Sequence, residues 1–267
     1  GSIWKSSVEA KSRLLVVGGT GFIGHHLLCS AVKRNWEVTS LSLHKPISKR
    51  WISKVRYHHG NLLELIQLKE ILCDSKFEYV VNLGGYINHT LYREGGRKYL
   101  EEHFTSINNL IEILPRGHLK AFIQIGSSDE YGNSPAPQHE NLRESPISPY
   151  ALGKVSSTHF LQMLHRTEEF PVSILRLFLT YGPGQDNQRF LPQIIRGCLY
   201  DQSFPTSGGE QLRDFCYVED VVDAIFLSFE TIKSRGEVFN IASGQPVSIR
   251  RMIEIVKDFI GKGEPCF

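Results

Sequence analysis

The chain has 267 residues, 41% of them hydrophobic and 22% charged, which suits one large α/β domain or two lobes around a single sheet. A formal charge of +2 excludes a nucleic-acid partner and a polybasic membrane surface. Five scattered cysteines (Cys29, Cys73, Cys198, Cys216, Cys266) with no CxxC pair, and no apolar run long enough to span a bilayer, point away from a zinc site, a disulfide scaffold or a membrane protein and towards a cytoplasmic one.

Short apolar runs bounded by turn residues at Arg13–Val17, Glu37–Leu41, Val80–Leu83 and Ala121–Ile125 predict buried parallel strands. Between them Phe22–Asn35, Leu62–Cys73 and Arg97–Leu114 predict helices. This βαβ rhythm predicts an α/β fold, a Rossmann-type doubly wound parallel sheet with helices on both faces. Ser148 as a cap and Pro149 in the first helical position then open a long helix, Tyr150–Arg166. A strand at Val172–Leu179 leads into a Gly/Pro/Gln/Asn-rich loop, Tyr181–Arg189, and later elements follow at Asp220–Glu230 (helix), Val238–Ile241 (strand) and Ile249–Ile260 (helix). The expected organisation is a dinucleotide domain over 1–180, to which 214–245 partly returns. A smaller substrate lobe, interleaved with it, takes 181–213 and 246–267.

The first strand runs into Gly18-Gly19-Thr20-Gly21-Phe22-Ile23-Gly24 and then a helix. Glycines at 18, 21 and 24 suit a tight turn, close approach of backbone to a pyrophosphate, and close helix–strand contact. The helix N-terminus offers free N–H groups and partial positive charge to the phosphates. At the end of the second strand an acidic residue would bind a ribose 2′-hydroxyl and repel a 2′-phosphate. Ser42 stands there instead, with His44, Lys45 and Arg50 beyond, so NADP(H) is favoured over NAD(H). Lys45 and Arg50 also read as plain solvated loop cations.

Tyr150 and Lys154 lie four residues apart on one helical face. A lysine cation about 5 Å from a phenol, at an effective dielectric of about 20, favours the phenolate by about 3 kcal/mol, or about two pK units. That shift would let Tyr150 pass a proton to or from a reacting oxygen at neutral pH. After the strand Ala121–Ile125 comes Gly126-Ser127-Ser128-Asp129-Glu130-Tyr131-Gly132, at the sheet edge where ligands bind in such folds. Ser128, with Ser127 close behind, is the candidate to hydrogen-bond the same oxygen.

Together these blocks resemble the extended short-chain dehydrogenase/reductases: nucleotide-sugar epimerases, 4,6-dehydratases and 4-ketoreductases. The matching segments are GGTGFIG (18–24), GNL (60–62), NLGG (82–85), SSDEYG (127–132), PYALGK (149–154), LRLFLTYGPGQ (175–185), RDFCYVEDVVDAI (213–225) and FNIASG (239–244). The resemblance implies an NAD(P)-dependent enzyme with a nucleotide-sugar substrate and a homodimer built through the Tyr–Lys helix and the helix before it. It implies that Asn61 and Leu62 flank the adenine, that Leu83, Gly84 and Gly85 line the nicotinamide side, and that Tyr150, Lys154 and Ser128 catalyse. Asp129, Glu130, Asn187 and Arg213 would contact substrate, Arg213 at its diphosphate. Here Asn61 replaces the usual Asp, His103 the usual Asn of the preceding helix, and Leu179 an Asn that commonly touches substrate. Relatives typically continue past the equivalent of Phe267, so the chain reads as a short member or a truncated one.

Dehydratase relatives carry Ser/Thr-Asp-Glu plus one further residue before Tyr-Gly; here Tyr131 follows Glu130 directly. The reading is therefore a 4-ketoreductase of a nucleotide-linked 4-keto-6-deoxyhexose, with 4-epimerase second, 4,6-dehydratase third, and a cofactor-binding regulatory protein as the non-enzyme alternative.

Overall fold

The computed structural model describes residues 10–84, 87–186, 189–200, 203–205, 209, 212–244 and 247–266. Seven parallel strands form the main sheet: β1 (Arg13–Val17), β2 (Glu37–Ser42), β3 (Val55–His59), β4 (Tyr79–Asn82), β5 (Ala121–Ser127), β6 (Val172–Leu177) and, much later in the chain, β11 (Val238–Ile241). Their order is β3-β2-β1-β4-β5-β6-β11. All the pairings are parallel, with Leu14 opposite both Val38 and Tyr79, and Val238 opposite Ile174.

Alternation along the strands divides the core in two. Leu14, Val16, Val81, Ile123 and Leu175 meet Leu27 and Leu28 of α1 (Phe22–Lys33) and Ile225 and Phe226 of α6 (Val218–Glu230). Leu15, Val17, Val80, Phe122 and Ile174 point the other way. They meet Leu68 of α2 (Leu65–Leu72), Leu110 of α3 (Arg97–Ile113) and Leu161 of α4 (Pro149–Glu168). Each such side chain, fully buried, contributes about 1.5–3 kcal/mol, so both faces must be covered and the sheet is doubly wound.

Three two-stranded sheets accompany the main sheet among the described residues. β7 (Leu179–Tyr181) pairs with β10 (Phe215–Tyr217), β8 (Ser203–Pro205) with β13 (Glu264–Cys266), and β9 (Leu212–Arg213) with β12 (Val247–Ser248). α5 (Phe190–Leu199) packs on α7 (Ile249–Ile260), where Cys198, Ile249 and Ile253 form a small separate core.

Two elements depart from the sequence expectation. β3, Val-Arg-Tyr-His-His, has no apolar run because it is an edge strand with one buried residue, Val55. α5, a segment for which the sequence predicts no element, includes Pro192 and Gly197; Pro192 falls in its first turn, where no helical N–H partner is required.

Candidate active site

Strand order reverses between β1 and β4, and the loops after these strands open the crevice in which such sheets bind ligands. Gly18 has φ +88° and approaches Gly84 so closely that a Cβ would lie 3.0 Å from the Gly84 oxygen. A Cβ on Gly24 would lie 2.5 Å from the Gly19 Cα, and one on Gly19 would lie 2.5 Å from the Ser40 Oγ. Gly21 differs: its Cβ would make one ordinary contact, 3.6 Å from the Gly18 oxygen. Space is therefore left at the start of α1, whose N-terminus no side chain caps. The first-turn amides of Phe22 and Ile23 and the positive helix end suit a pyrophosphate there. Thr20 N–H donates to Ser42 Oγ at 3.4 Å, so Ser42 serves the glycine loop itself. His44 and Lys45 are exposed just beyond β2. The Arg50 guanidinium, offered by the sequence as a phosphate partner, is otherwise engaged. It donates to the Thr20 carbonyl (3.1 Å) and the Gly184 carbonyl (2.7 Å), tying the glycine loop to the loop after β7.

The turn after β3 is closed by Asn61, whose Oδ1 accepts the Leu63 N–H at 2.9 Å. Half-buried Leu62 packs on the core and its carbonyl accepts from Asn109 of α3 at 2.9 Å. Leu83 and Gly84 follow directly on β4, with Gly84 at φ +74°. Gly85 and Asn187 lie outside the described residues.

Ser148 caps α4 by accepting the Ala151 N–H at 3.1 Å, which fixes Tyr150 in the first turn and Lys154 one turn on. Both side chains are buried. Lys154 Nζ donates to the Ile125 carbonyl at 3.0 Å, lies against Gly84, and stands 5.8 Å from the Tyr150 ring centre. Against the pull of Lys154 expected from the spacing, burial first, then the charges of Asp129 and Glu130, raise the Tyr150 phenol above its ordinary value, and burial lowers Lys154. His103 packs on Tyr150 (ring centres 5.8 Å apart) and under Gly153; burial and then Lys154 push it down to about 3, so it is neutral.

On the loop after β5 the Ser127 Oγ accepts the Asp129 N–H (3.0 Å) and the Ser127 N–H donates to Glu130 Oε2 (2.9 Å), a reciprocal cap. That leaves Ser128 as the serine whose hydroxyl carries no such duty. Glu130 does not contact a ligand space, contrary to the sequence expectation. Its side chain is fully buried, with Oε1 accepting from Arg176 (3.0 Å) and Thr158 (2.8 Å). Asp129 is half-exposed and turns outward. Arg213 is exposed on β9, and the neighbouring Asp214 carboxylate accepts the Ser243 and Gly244 amides.

A family model described as NAD dependent epimerase/dehydratase family matches residues 14–242. The chain belongs to this family. It is 26% identical over 251 residues to the dTDP-D-glucose 4,6-dehydratase of Dictyostelium discoideum, an alignment covering 86% of this chain but only 57% of that one. The chain thus spans little more than half the length of that relative. Among solved structures, the NAD dependent NDP-hexosamine 5,6-dehydratase TunA matches with a TM-score of 0.82 and 28% identity, over 96% of this chain and 84% of that one. The Thermus thermophilus UDP-glucose 4-epimerase, solved with NAD, matches with a TM-score of 0.84 over 95% and 85% at 23% identity, a likeness of fold.

Within this epimerase/dehydratase fold, three residues that sequence reasoning passed over shape the site. Arg176 is one; an arginine inside the apolar strand Val-Ser-Ile-Leu-Arg-Leu must have a buried partner, and that was the available signal. Gly19 is another, required by its contact with Ser40. The third is His89, in the loop after β4. Its Nδ1 lies 2.9 Å from Ser148 Oγ, its Nε2 3.4 Å from Asp129 Oδ2, and its ring meets Tyr150 edge-on at 5.5 Å. Position alone, at the C-terminal edge of the sheet, was its signal.

Proposed function

We propose that the chain reduces the 4-keto group of a nucleotide-linked 4-keto-6-deoxyhexose. The observation that carries this reading is geometric: Tyr150 is a buried phenol one turn from buried Lys154 on α4, and burial raises it above its ordinary value. Reduction of a ketone requires a proton donor at the oxygen, and a phenol held in its acid form is one. The nicotinamide, when bound, supplies hydride to the carbonyl carbon. Tyr150 delivers the proton to the oxygen, Ser128 hydrogen-bonds that oxygen, and Lys154 supplies positive charge at its back. Locking Glu130 in the core removes one of the two loop carboxylates that a 4,6-elimination would employ, which argues against dehydration. A 4-epimerase uses the same phenol and lysine and is the second reading.

For the cofactor we propose NADP(H), because no carboxylate ends β2 and Lys45 is exposed just beyond it; the solved relatives named above are NAD proteins. Residues 181–213 and 246–267 are assigned the sugar nucleotide, with Arg213 at its diphosphate. Leu152 and Met163, exposed on α4, support a homodimer through α3 and α4. The test mixes the protein with NADPH or NADH and a panel of nucleotide-linked 4-keto-6-deoxyhexoses and follows nicotinamide absorbance. Stoichiometric consumption that Tyr150→Phe abolishes is expected. Conversion of a parent sugar nucleotide without net consumption would replace reduction by epimerisation.

A further inference from the structure

Two side chains fasten the glycine loop to the turn after β7, which opens the segment assigned to the sugar nucleotide. Arg50 ends a short turn, Ser48–Arg50, between β2 and β3. Its backbone carbonyl accepts His25 Nδ1–H of α1 (3.2 Å) and the Tyr57 hydroxyl of β3 (3.4 Å), so the root of the side chain is anchored on both sides. From there two nitrogens of one guanidinium donate to the Thr20 carbonyl (3.1 Å) and the Gly184 carbonyl (2.7 Å). The fork is planar and rigid, so it fixes the spacing of the two carbonyls. His26 of α1 adds a second tie, its Nε2–H donating to the Pro183 carbonyl at 2.7 Å. The tied turn is also braced on itself. The Gln185 N–H donates to the Gly182 carbonyl (3.3 Å) and its side-chain amide to the Thr180 carbonyl (2.9 Å). A Cβ on Gly182 would lie 2.4 Å from Val218 Cγ1, so the turn has no slack on the side of α6.

We infer that Arg50, assisted by His26, couples the two sites, so that filling the glycine loop orders the turn at 180–185 and raises the affinity for the sugar nucleotide. The inference rests on the cofactor and sugar-nucleotide sites proposed above. Both acceptors of the Arg50 fork are neutral carbonyls, so the guanidinium keeps its charge beside the helix end that suits a pyrophosphate. A glycine loop held still by its ligand holds Thr20 still, and the fork passes that order on to Gly184. The second ligand then meets a turn already fixed and loses less freedom in binding. By linkage the effect is reciprocal: the sugar nucleotide raises the affinity for cofactor by the same factor. Arg50 is thus a positioning residue, acting on the substrate through the turn.

The experiment reads amide hydrogen–deuterium exchange of the full chain with and without saturating NADPH or NADH, in wild type, Arg50→Met, Arg50→Lys and Lys49→Met. Lys49 is exposed on the same turn and controls for the loss of one cation. In wild type and Lys49→Met, cofactor is expected to slow exchange at 14–24 and also, about fivefold or more, at 179–186. In Arg50→Met only 14–24 should respond. Arg50→Lys keeps the charge but loses the two-pronged fork, and should behave like Arg50→Met. Titration with UDP-glucose and dTDP-glucose, with and without cofactor, then gives the coupling as a ratio of affinities within each variant. About 5- to 150-fold is expected in wild type and none in Arg50→Met. A merely structural arginine would lower stability and both affinities and leave that ratio unmoved. The inference is overturned if cofactor leaves 179–186 unchanged in wild type, or if Arg50→Met keeps the protection or the ratio. No response at 14–24 overturns the cofactor site as well. Absence of sugar-nucleotide binding in every form overturns the proposed function and the sugar-nucleotide half of this inference, while the exchange data still decide the tie between the loops.

Discussion

Replacing Arg176 by Met tests whether the buried ion pair under the site holds the Ser127–Tyr131 loop. Arg176 and Glu130 are both fully buried, and one guanidinium nitrogen bridges Glu130 Oε1 (3.0 Å) and Glu144 Oε1 (2.8 Å). The guanidinium also covers the Tyr131 ring at 4.7 Å. Burial lowers and would discharge the arginine, but Glu130 and Glu144 outweigh it and keep it firmly charged. Removing the cation leaves the Glu130 carboxylate buried with only Thr158 and the Ser127 N–H, a loss of about 3–5 kcal/mol. At about 2–4 °C per kcal/mol for a chain of this size, the melting temperature should fall by about 6–20 °C. Replacing both partners by apolar residues, Arg176→Met with Glu130→Met, removes the stranded charge and should recover most of the stability. It should not recover the reductase activity, because the Ser127 N–H loses its acceptor and the loop carrying Ser128 its anchor. Thermal and urea unfolding of the two variants, with turnover, read all of this. A single mutant as stable as wild type, or a double mutant no better than the single, would refute the reasoning.

Gly21→Ala should leave the melting temperature nearly unchanged, because its Cβ meets one ordinary contact, yet weaken nicotinamide binding at least tenfold, about 1.4 kcal/mol, by filling the space beside the first-turn amides. Gly24→Ala should do the reverse of the first effect and unfold several degrees earlier, since its Cβ would lie 2.5 Å from Gly19 Cα; thermal melts and cofactor titration separate the two. Tyr150→Phe should cut the reduction rate by about 10²–10⁴ while leaving cofactor binding intact, measured by pre-steady-state absorbance and titration. Because the folded-state value of Tyr150 lies above the ordinary phenol value near 10, its acid form persists through neutral and mildly alkaline pH. The reduction rate should therefore show no Tyr150-dependent fall below about pH 10, and an alkaline limb near pH 8 that Tyr150→Phe removes would contradict this assignment.

The central strands were legible because they are buried on both faces, and Arg13–Val17 has the bounds its apolar run predicts. Val238–Ile241 and Ile249–Ile260 also have their expected bounds, although β11 is an edge strand. Edge strand β3 was not legible, because one-sided burial asks for only Val55 to be apolar. Nor was α5, where the proline and glycine that usually end helices sit inside one.

At the site the distinction is different in kind. Residues fixed by local backbone demands could be read: Ser148 and Pro149 announce α4, and the glycine run announces the turn into α1. Side chains whose roles depend on partners 28 to 59 positions away could not. Glu130 beside Asp129 looks like a second substrate-facing carboxylate until Arg176 and Thr158 are placed on it. The same holds for the pairing of Tyr150 with Lys154, where spacing gave proximity but not the balance of charge. Lysine proximity argues for phenolate, whereas burial and the two acidic residues of the neighbouring loop argue for phenol, and the latter prevail. One loop thus sets two features of the chemistry. Glu130, turned inward, anchors the backbone on Arg176, and Asp129, turned outward, faces His89. A one-residue shift of the turn would put a different side chain in the inward place that Glu130 takes. That is why the residue missing before Tyr131, relative to dehydratases, bears directly on which proton the site can move.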